Sequence, residues 1–120
     1  MSDKVALLLE DEALIAMDVG QSLMDAGYLV VTVSTCSEAQ AWLKANPLPS
    51  VAVVDVELSD GKCDEVAREL TRLNVPFVVH SGGLTSKDDP EAEAFSAGTW
   101  LSKPSLTEHL LAAVESAISN

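Results

Sequence analysis

Residues 51–61 read VAVVDVELSDG, an apolar run that stops at Asp55 and is followed by a polar turn. Four consecutive apolar residues, three of them valine, are typical of a strand that is covered on both faces of a sheet. An aspartate that closes such a strand has a well-fixed position. The stretch therefore predicts a central strand that presents one carboxylate at its end.

The same alternation of short apolar runs and helical patterns extends in both directions from this strand. Apolar runs predict further strands at residues 5–9, 29–33, 77–79 and 99–101. Apolar residues recur at helical spacing between them. This rhythm indicates the α/β class, with a parallel sheet, right-handed crossovers and helices on both faces.

Local signals predict where several helices begin and end. Gly27 is expected to end the first helix. Thr35 with Glu38, and Ser105 with Glu108, predict capping boxes that open the second and the last helix. The predicted apolar stripe of the last helix consists of Leu106, Leu110, Val114 and Ile118.

The composition of the chain argues against several classes of function. Seven basic and nineteen acidic residues give a net charge of −12, which argues against direct binding to nucleic acid or to an anionic membrane. The start, MSDKVALLLED, contains too short an apolar run for a signal peptide or a membrane span. Cys36 and Cys63 lack metal-ligand spacing and are expected to be free thiols of a cytoplasmic protein. With 120 residues, the chain fits one domain, residues 1–120.

Polar residues stand where the predicted strands end. Open parallel sheets bind ligands beyond the carboxyl ends of their strands, which meet at one edge. Residues far apart in the sequence therefore converge there: Glu10 and Asp11, Asp55, His80 and Ser81, and Ser102 and Lys103.

Three of these residues are carboxylates, which repel one another without a cation. Magnesium prefers a few oxygen ligands together with water and phosphate oxygens. We therefore expect Mg²⁺, with Mn²⁺ as an alternative, bound directly by Asp11 and Asp55. Glu10 is expected to bind it directly or through water, and the backbone carbonyl of Glu57 to add an oxygen.

Asp55 is the predicted nucleophile, because carboxylate attack on phosphorus gives an acyl phosphate. The metal would offset charge on the transferring phosphoryl oxygens. Lys103 supplies a point charge for the phosphate, and Ser81 supplies a hydroxyl donor. The strand ends thus hold a complete set of residues for accepting a phosphoryl group.

Four segments resemble the motifs of bacterial response-regulator receiver domains, in the same order: LLLEDE (7–12), VVDVELSDG (53–61), VVHSGG (78–83) and WLSKPS (100–105). The resemblance implies a flavodoxin-like (βα)5 doubly wound sheet of five parallel strands in the order 2-1-3-4-5. It also implies that Asp55 receives phosphate from the phosphohistidine of a sensor histidine kinase or a histidine phosphotransfer protein. The protein would depend on Mg²⁺ and catalyse only its own phosphorylation and dephosphorylation.

The resemblance implies a role for individual residues. Glu10 and Asp11 match the acidic pair, Lys103 the phosphate-binding lysine, Ser81 the switch hydroxyl and Trp100 the switch aromatic. Three of them depart from the commoner family residues, since Glu10 replaces Asp, Ser81 replaces Thr, and Trp100 replaces Tyr or Phe. An indole is bulkier and can only donate a hydrogen bond, which puts its inward–outward motion in doubt.

Phosphorylation would add a charge of about −1.5 to −2 at pH 7, and this added charge would produce the signal. Ser81 is expected to move toward the phosphate, and Trp100 to fill the space. The face built from the fourth helix, fifth strand and fifth helix would then bind a downstream protein differently. The polar residues 82–98, with a helical piece at 92–97, suit a mobile element. The Lys103–Pro104 peptide bond is a cis candidate.

Other functions stay open. Haloacid-dehalogenase-type hydrolases also use a strand-end aspartate with an acid two residues later, as in Asp55 and Glu57, but this chain lacks the length for a cap. A flavin- or nucleotide-binding protein would need a glycine-rich loop where residues 10–12 are acidic. A receiver that binds partners without phosphorylation would not need the complete residue set. The chain is either a stand-alone receiver, giving output or serving as a phosphate sink, or a piece of a longer protein.

Overall fold

The computed structural model describes residues 4–58, 61–81, 90–103 and 105–119. The main sheet contains the strands β1 (Val5–Leu9), β2 (Leu29–Val33), β3 (Val51–Asp55), β4 (Phe77–Ser81) and β5 (Thr99–Ser102). The helices are α1 (Ala13–Asp25), α2 (Cys36–Ala45), α3 (Asp64–Arg72), a 3₁₀ helix (Pro90–Phe95) and α4 (Thr107–Ser119). The two-residue strands Glu57–Leu58 and Gly61–Lys62 form an antiparallel hairpin before α3.

The five main strands are all parallel and have the order β2-β1-β3-β4-β5. This confirms the predicted doubly wound sheet and its strand order. Asp55 pairs with His80, and Ser81 pairs with Ser102. The carboxyl ends of β3, β4 and β5 therefore lie at one edge of the sheet.

The core has two layers because alternate residues of each strand face opposite sides. Leu7 and Leu9 pack with α2, α3 and the 3₁₀ helix, whereas Ala6 and Leu8 pack with α1 and α4. Burial on both sides explains why β1, β3 and β4 are continuously apolar along most of their length. Among the described helices, none has the length and apolar content needed to cross a membrane.

The predicted capping box of α2 is confirmed, because the Glu38 N–H donates to Thr35 Oγ1 at 3.0 Å. Gly27 follows α1 with a φ of +98°, as expected of a glycine that ends a helix. The capping box predicted at Ser105 is wrong. Helix α4 begins at Thr107, and its first backbone bond runs from the Leu110 N–H to the Leu106 carbonyl at 3.0 Å.

The predicted apolar stripe of α4 is also partly wrong. Leu106 and Ile118 are 59% and 44% exposed. The buried positions are Leu110, Ala113, Val114 and Ala117. A stripe with a constant spacing of four drifts around the helix by about 40° per step, so its two ends leave the core side.

The other boundaries differ in detail. Strand β4 continues through His80 and Ser81, and β5 continues through Ser102, so these polar residues lie in the strands rather than after them. A 3₁₀ helix at Pro90–Phe95 stands near the helical piece predicted at 92–97. Ser59, Asp60, residues 82–89 and Pro104, with the cis-peptide candidate, lie outside the described residues.

The prediction of two free thiols is wrong. Cys36 and Cys63 form a disulfide with an S–S distance of 2.06 Å and a Cα–Cα distance of 5.4 Å. Cys36 is the first residue of α2, and Cys63 directly precedes α3. These two helices pack on the same face of the sheet, which brings together two residues 27 positions apart.

Candidate functional site

Three carboxylates meet at the carboxyl ends of β1 and β3. One oxygen each from Glu10, Asp11 and Asp55 lies within 4.8 Å of the others. Glu10 is only 3% exposed, and its N–H donates to the Val33 carbonyl at 3.0 Å. Its Oε2 accepts a bond from the Glu12 N–H at 3.1 Å. Glu10 is therefore held at both backbone and side chain, while Asp11 stays exposed on the open side.

Lys103 joins two of these carboxylates. Its Nζ donates to Glu10 Oε1 and to Asp55 Oδ2, each at 2.8 Å. The lysine is positioned by its own N–H, which donates to the Ser81 carbonyl at 2.7 Å at the end of β4. The ends of β1, β3, β4 and β5 thus contribute to one acidic pocket. Among the described residues, the Lys103 side chain is the cation that contacts its carboxylates.

Burial shapes the electrostatics of this pocket. Burial raises the pKa of the Glu10 carboxyl, and the Lys103 hydrogen bond offsets only part of that shift. Burial by itself lowers the pKa of the Lys103 ammonium, but its hydrogen bonds to Asp55 and Glu10 outweigh burial, and the net direction is upward. Lys103 is therefore cationic at neutral pH.

The charge balance fits a divalent cation. Three carboxylates against one ammonium leave two negative charges when all groups are ionised. One divalent ion matches that excess, and an open cluster of carboxylate oxygens suits Mg²⁺, which keeps several waters. Glu10, Asp11 and Asp55 are the residues that could hold it.

The end of β4 supplies two buried polar side chains beside the carboxylates. Ser81 is 4% exposed and next to His80, the strand partner of Asp55. His80 is 3% exposed, and its Nε2 lies 3.1 Å from Ser105 Oγ. Burial, together with the nearby Lys103 charge, lowers the pKa of the His80 imidazole, so the ring is neutral at neutral pH. The contact is not predictable from the sequence, because the spacing of Ser105 and Glu108 favours a helix cap.

Two further predicted residues, Trp100 and Glu57, have other contacts. Trp100 is half-buried against the core of the α2 and α3 side, and its Nε1 donates to the Phe95 carbonyl at 3.3 Å. The Glu57 backbone pairs with Lys62 in the hairpin that follows Asp55. The switching role of Trp100 and the metal-binding role of the Glu57 carbonyl stay predictions.

The chain belongs to the family of response regulator receiver domains, since the family model matches residues 6–115. It is thus a receiver domain of two-component signalling. The matching family model is that of receiver domains, rather than of the hydrolases or nucleotide-binding proteins considered above.

Individual relatives agree with this assignment. The transcriptional regulatory protein PdtaR of Mycobacterium tuberculosis is 28% identical over 114 residues, which are 94% of this chain and 56% of the relative. The chain thus spans about half the length of that curated relative. A response regulator receiver protein from Sinorhizobium medicae is 27% identical with a TM-score of 0.86, covering 98% of this chain and 96% of that one.

A further solved structure is similar to this chain in fold alone. The receiver domain of a sensor histidine kinase from Pseudomonas aeruginosa has a TM-score of 0.84 at 18% identity, covering 99% of this chain and 100% of that one.

Proposed function

We propose that this receiver domain, comprising residues 1–120, is a cytoplasmic phosphoacceptor switch in which Asp55 takes a phosphoryl group from a phosphohistidine. The donor is a sensor histidine kinase or a histidine phosphotransfer protein. The observation that carries the proposal is the position of Lys103, 2.8 Å from both Asp55 and Glu10, with Asp11 completing the cluster.

In the proposed reaction, a carboxylate oxygen of Asp55 forms a bond to phosphorus as the P–N bond of the donor breaks. The electron pair of that bond stays on the imidazole nitrogen. Lys103 Nζ is already within hydrogen-bond distance of Asp55, so it can exchange its carboxylate contact for a phosphoryl oxygen. The hydroxyl of Ser81, at the end of the neighbouring strand, would donate to another oxygen.

Glu10, Asp11 and Asp55 would hold Mg²⁺, with the Glu57 carbonyl as a further ligand. Bound Mg²⁺ would offset the negative charge on the transferring phosphoryl oxygens. The two excess negative charges of the pocket support this ligand set. The Pseudomonas aeruginosa receiver domain with the same fold has a magnesium ion coordinated in its active-site cleft.

The output would arise from Ser81 and Trp100. Movement of Ser81 toward the phosphate would free space for the indole, and an inward turn of Trp100 would break its bond to the Phe95 carbonyl. That bond ties β5 to the 3₁₀ helix, so its loss would change the face formed by the 3₁₀ helix, β5 and α4. A downstream protein that prefers the changed face would bind the phosphorylated form.

Mass spectrometry of the intact protein tests the chemistry. After incubation with acetyl phosphate or phosphoramidate and Mg²⁺, the wild type should gain the mass of one phosphoryl group. Asp55→Asn should gain none, because an amide cannot form the acyl phosphate. Asp25→Asn removes an exposed carboxylate at the end of α1 and serves as a matched control that retains the gain.

The alternatives predict other outcomes. A chelator should abolish the gain if Mg²⁺ is required. No gain with several donors would instead identify a receiver that binds partners without phosphorylation. Continuous turnover of phosphate monoesters would identify a hydrolase, and either result contradicts the proposal.

A further inference from the structure

The Cys36–Cys63 disulfide lies close to the acceptor in the fold, although neither cysteine belongs to the acidic pocket. We propose that this disulfide is a site of thiol–disulfide exchange, and that its state sets the reactivity of Asp55. The second part rests on the proposed phosphoacceptor function. The exchange partner is a small thiol or, in the reverse direction, a small disulfide.

Cys63 is tied to the segment that follows the acceptor. Val56 comes directly after Asp55, and its carbonyl accepts a bond from the Cys63 N–H at 3.4 Å. The hairpin strands Glu57–Leu58 and Gly61–Lys62 lie between these two residues. The position of Cys63 therefore constrains both ends of the short segment that leads away from Asp55.

Cys36 is tied to the other side of the pocket. It opens α2 three residues after Val33, whose carbonyl accepts the N–H of Glu10 at 3.0 Å. The disulfide thus joins the chain segment that positions Glu10 to the segment that follows Asp55. Two of the three carboxylates depend on backbone that this covalent bond holds together.

Of the two cysteines in the disulfide, Cys36 is the more accessible residue. Cys63 is only 1% exposed, whereas Cys36 is half-buried. A cavity of about 350 Å³ borders the bond, and its lining includes Cys36, Gln40, Cys63, Asp64, Glu65 and Arg68. Cavities of this size accept small ligands. Attack by a small thiolate is therefore expected at Cys36.

The exchange balances as two substitutions at sulfur. A thiolate attacks Cys36 Sγ, the bond to Cys63 breaks, and Cys63 leaves as a thiolate that takes up a proton. A second thiolate then attacks the mixed disulfide at its outer sulfur and releases Cys36 as the second thiol. The protein disulfide gains two electrons and two protons, and two small thiols become one small disulfide.

Reduction should loosen the backbone on both sides of the pocket. The positions of Asp55 and Glu10 would then depend on hydrogen bonds and packing alone. Because the rate of attack depends on how closely the reacting groups are held, the reduced form should accept phosphate more slowly. In a reducing compartment, disulfides are usually transient and redox-sensing, which suits the proposed cytoplasmic location.

The test compares the oxidised and the dithiothreitol-reduced 120-residue chain without denaturant. Thiol titration should give two thiols per chain after reduction, and none before it. Phosphorylation by acetyl phosphate and Mg²⁺ should be about three- to tenfold slower in the reduced form, as expected of a loosened reacting group. Tryptophan fluorescence should show weaker Mg²⁺ binding by a similar factor.

Cys36→Ala/Cys63→Ala is the matched variant. Its phosphorylation rate and Mg²⁺ affinity should equal those of the reduced wild type and should not change with dithiothreitol. If the variant does not fold, the reduced wild type still decides the question. A disulfide that survives dithiothreitol in the native protein, or equal rates and equal Mg²⁺ affinities in both forms, would overturn the inference. Absence of phosphorylation in both forms would contradict the proposed function instead, and the Mg²⁺ affinities would then decide the redox inference alone.

Discussion

The helices on the two faces of the sheet are joined to one another in different ways. On the side of α2, α3 and the 3₁₀ helix, which we term the crosslinked face, a disulfide joins Cys36 to Cys63. On the side of α1 and α4, which we term the hydrogen-bonded face, Ser22 Oγ lies 3.0 Å from Thr107 Oγ1. A cavity of about 450 Å³ opens beside Lys103 on that second face.

This difference coincides with the division of labour that we propose for the pocket. Asp55 continues into the hairpin and α3 on the crosslinked face, whereas Lys103 leads toward α4 on the hydrogen-bonded face. A covalent bond restricts the acceptor side, while individual hydrogen bonds contribute only about 1 kcal/mol each. In the proposed reaction, the attacking carboxylate of Asp55 thus lies on the side that a covalent bond restrains, whereas Lys103, which would exchange partners, leads to the side where α1 and α4 are joined by a hydrogen bond.

Removing the crosslink should give the largest loss of stability. The two cysteines are 27 positions apart, and for a closed loop of this length the expected decrease in the free energy of unfolding of Cys36→Ala/Cys63→Ala is about 3.5 kcal/mol. Urea denaturation of the oxidised wild type and the variant measures this decrease. Dithiothreitol should lower the free energy of unfolding of the wild type and leave that of the variant unchanged. Equal unfolding midpoints would mean that noncovalent packing alone holds the crosslinked face.

A matched pair of glycine substitutions tests the packing of the two faces. A Cβ at Gly98 would lie 2.5 Å from Phe77 Cε2 and 2.8 Å from Val79 Cγ2, both on the crosslinked face. Phe77 and Val79 are buried and have little room to move. Gly98→Ala should therefore lower the free energy of unfolding by about 2 kcal/mol, the cost of overpacking a core.

The control substitution has the opposite expected sign. A Cβ at Gly20 would lie 3.9 Å from Val30 Cγ1, an ordinary contact on the hydrogen-bonded face. Because Gly20 lies within α1, Gly20→Ala should raise the free energy of unfolding by about 1 kcal/mol through helix propensity. Thermal denaturation of both variants provides the measurement, and shifts of the same sign would refute the contrast between the faces.

The sequence predicted the strands and the residues at their ends, but not the disulfide of the crosslinked face. The apolar runs identified all five strands of the main sheet. The strands β1, β3 and β4 are buried on both sides and need continuous apolar residues, whereas the edge strands β2 and β5 are only partly buried. The placement of Glu10, Asp11, Asp55 and Lys103 at one edge followed from that topology. The disulfide did not follow, since the pairing of Cys36 and Cys63 depends on how α2 and α3 pack, which local patterns do not encode.

Ser105 shows a second limit of local patterns. Its position before Glu108 satisfies the spacing of a capping box, yet its hydroxyl lies 3.1 Å from His80 Nε2 and α4 begins at Thr107. A buried histidine requires a hydrogen-bond partner, and this tertiary requirement outweighed the local cap. The pattern of residues 105–108 contains no sign of that competition.

The smallest expected effect concerns the contact between α1 and α4. Ser22 is 6% exposed, whereas Thr107 is exposed, so water can replace part of the lost bond in either single variant. Ser22→Ala and Thr107→Val should each change the free energy of unfolding by less than about 1 kcal/mol.

A double-mutant cycle isolates their interaction from the helix propensities of the new residues. Urea denaturation of the four proteins should give a coupling of about 0.5–1 kcal/mol, the net value of one hydrogen bond. A coupling near zero would mean that apolar packing alone joins α1 to α4. A coupling as large as the effect of the disulfide would remove the proposed distinction between the covalently restrained face and the hydrogen-bonded face.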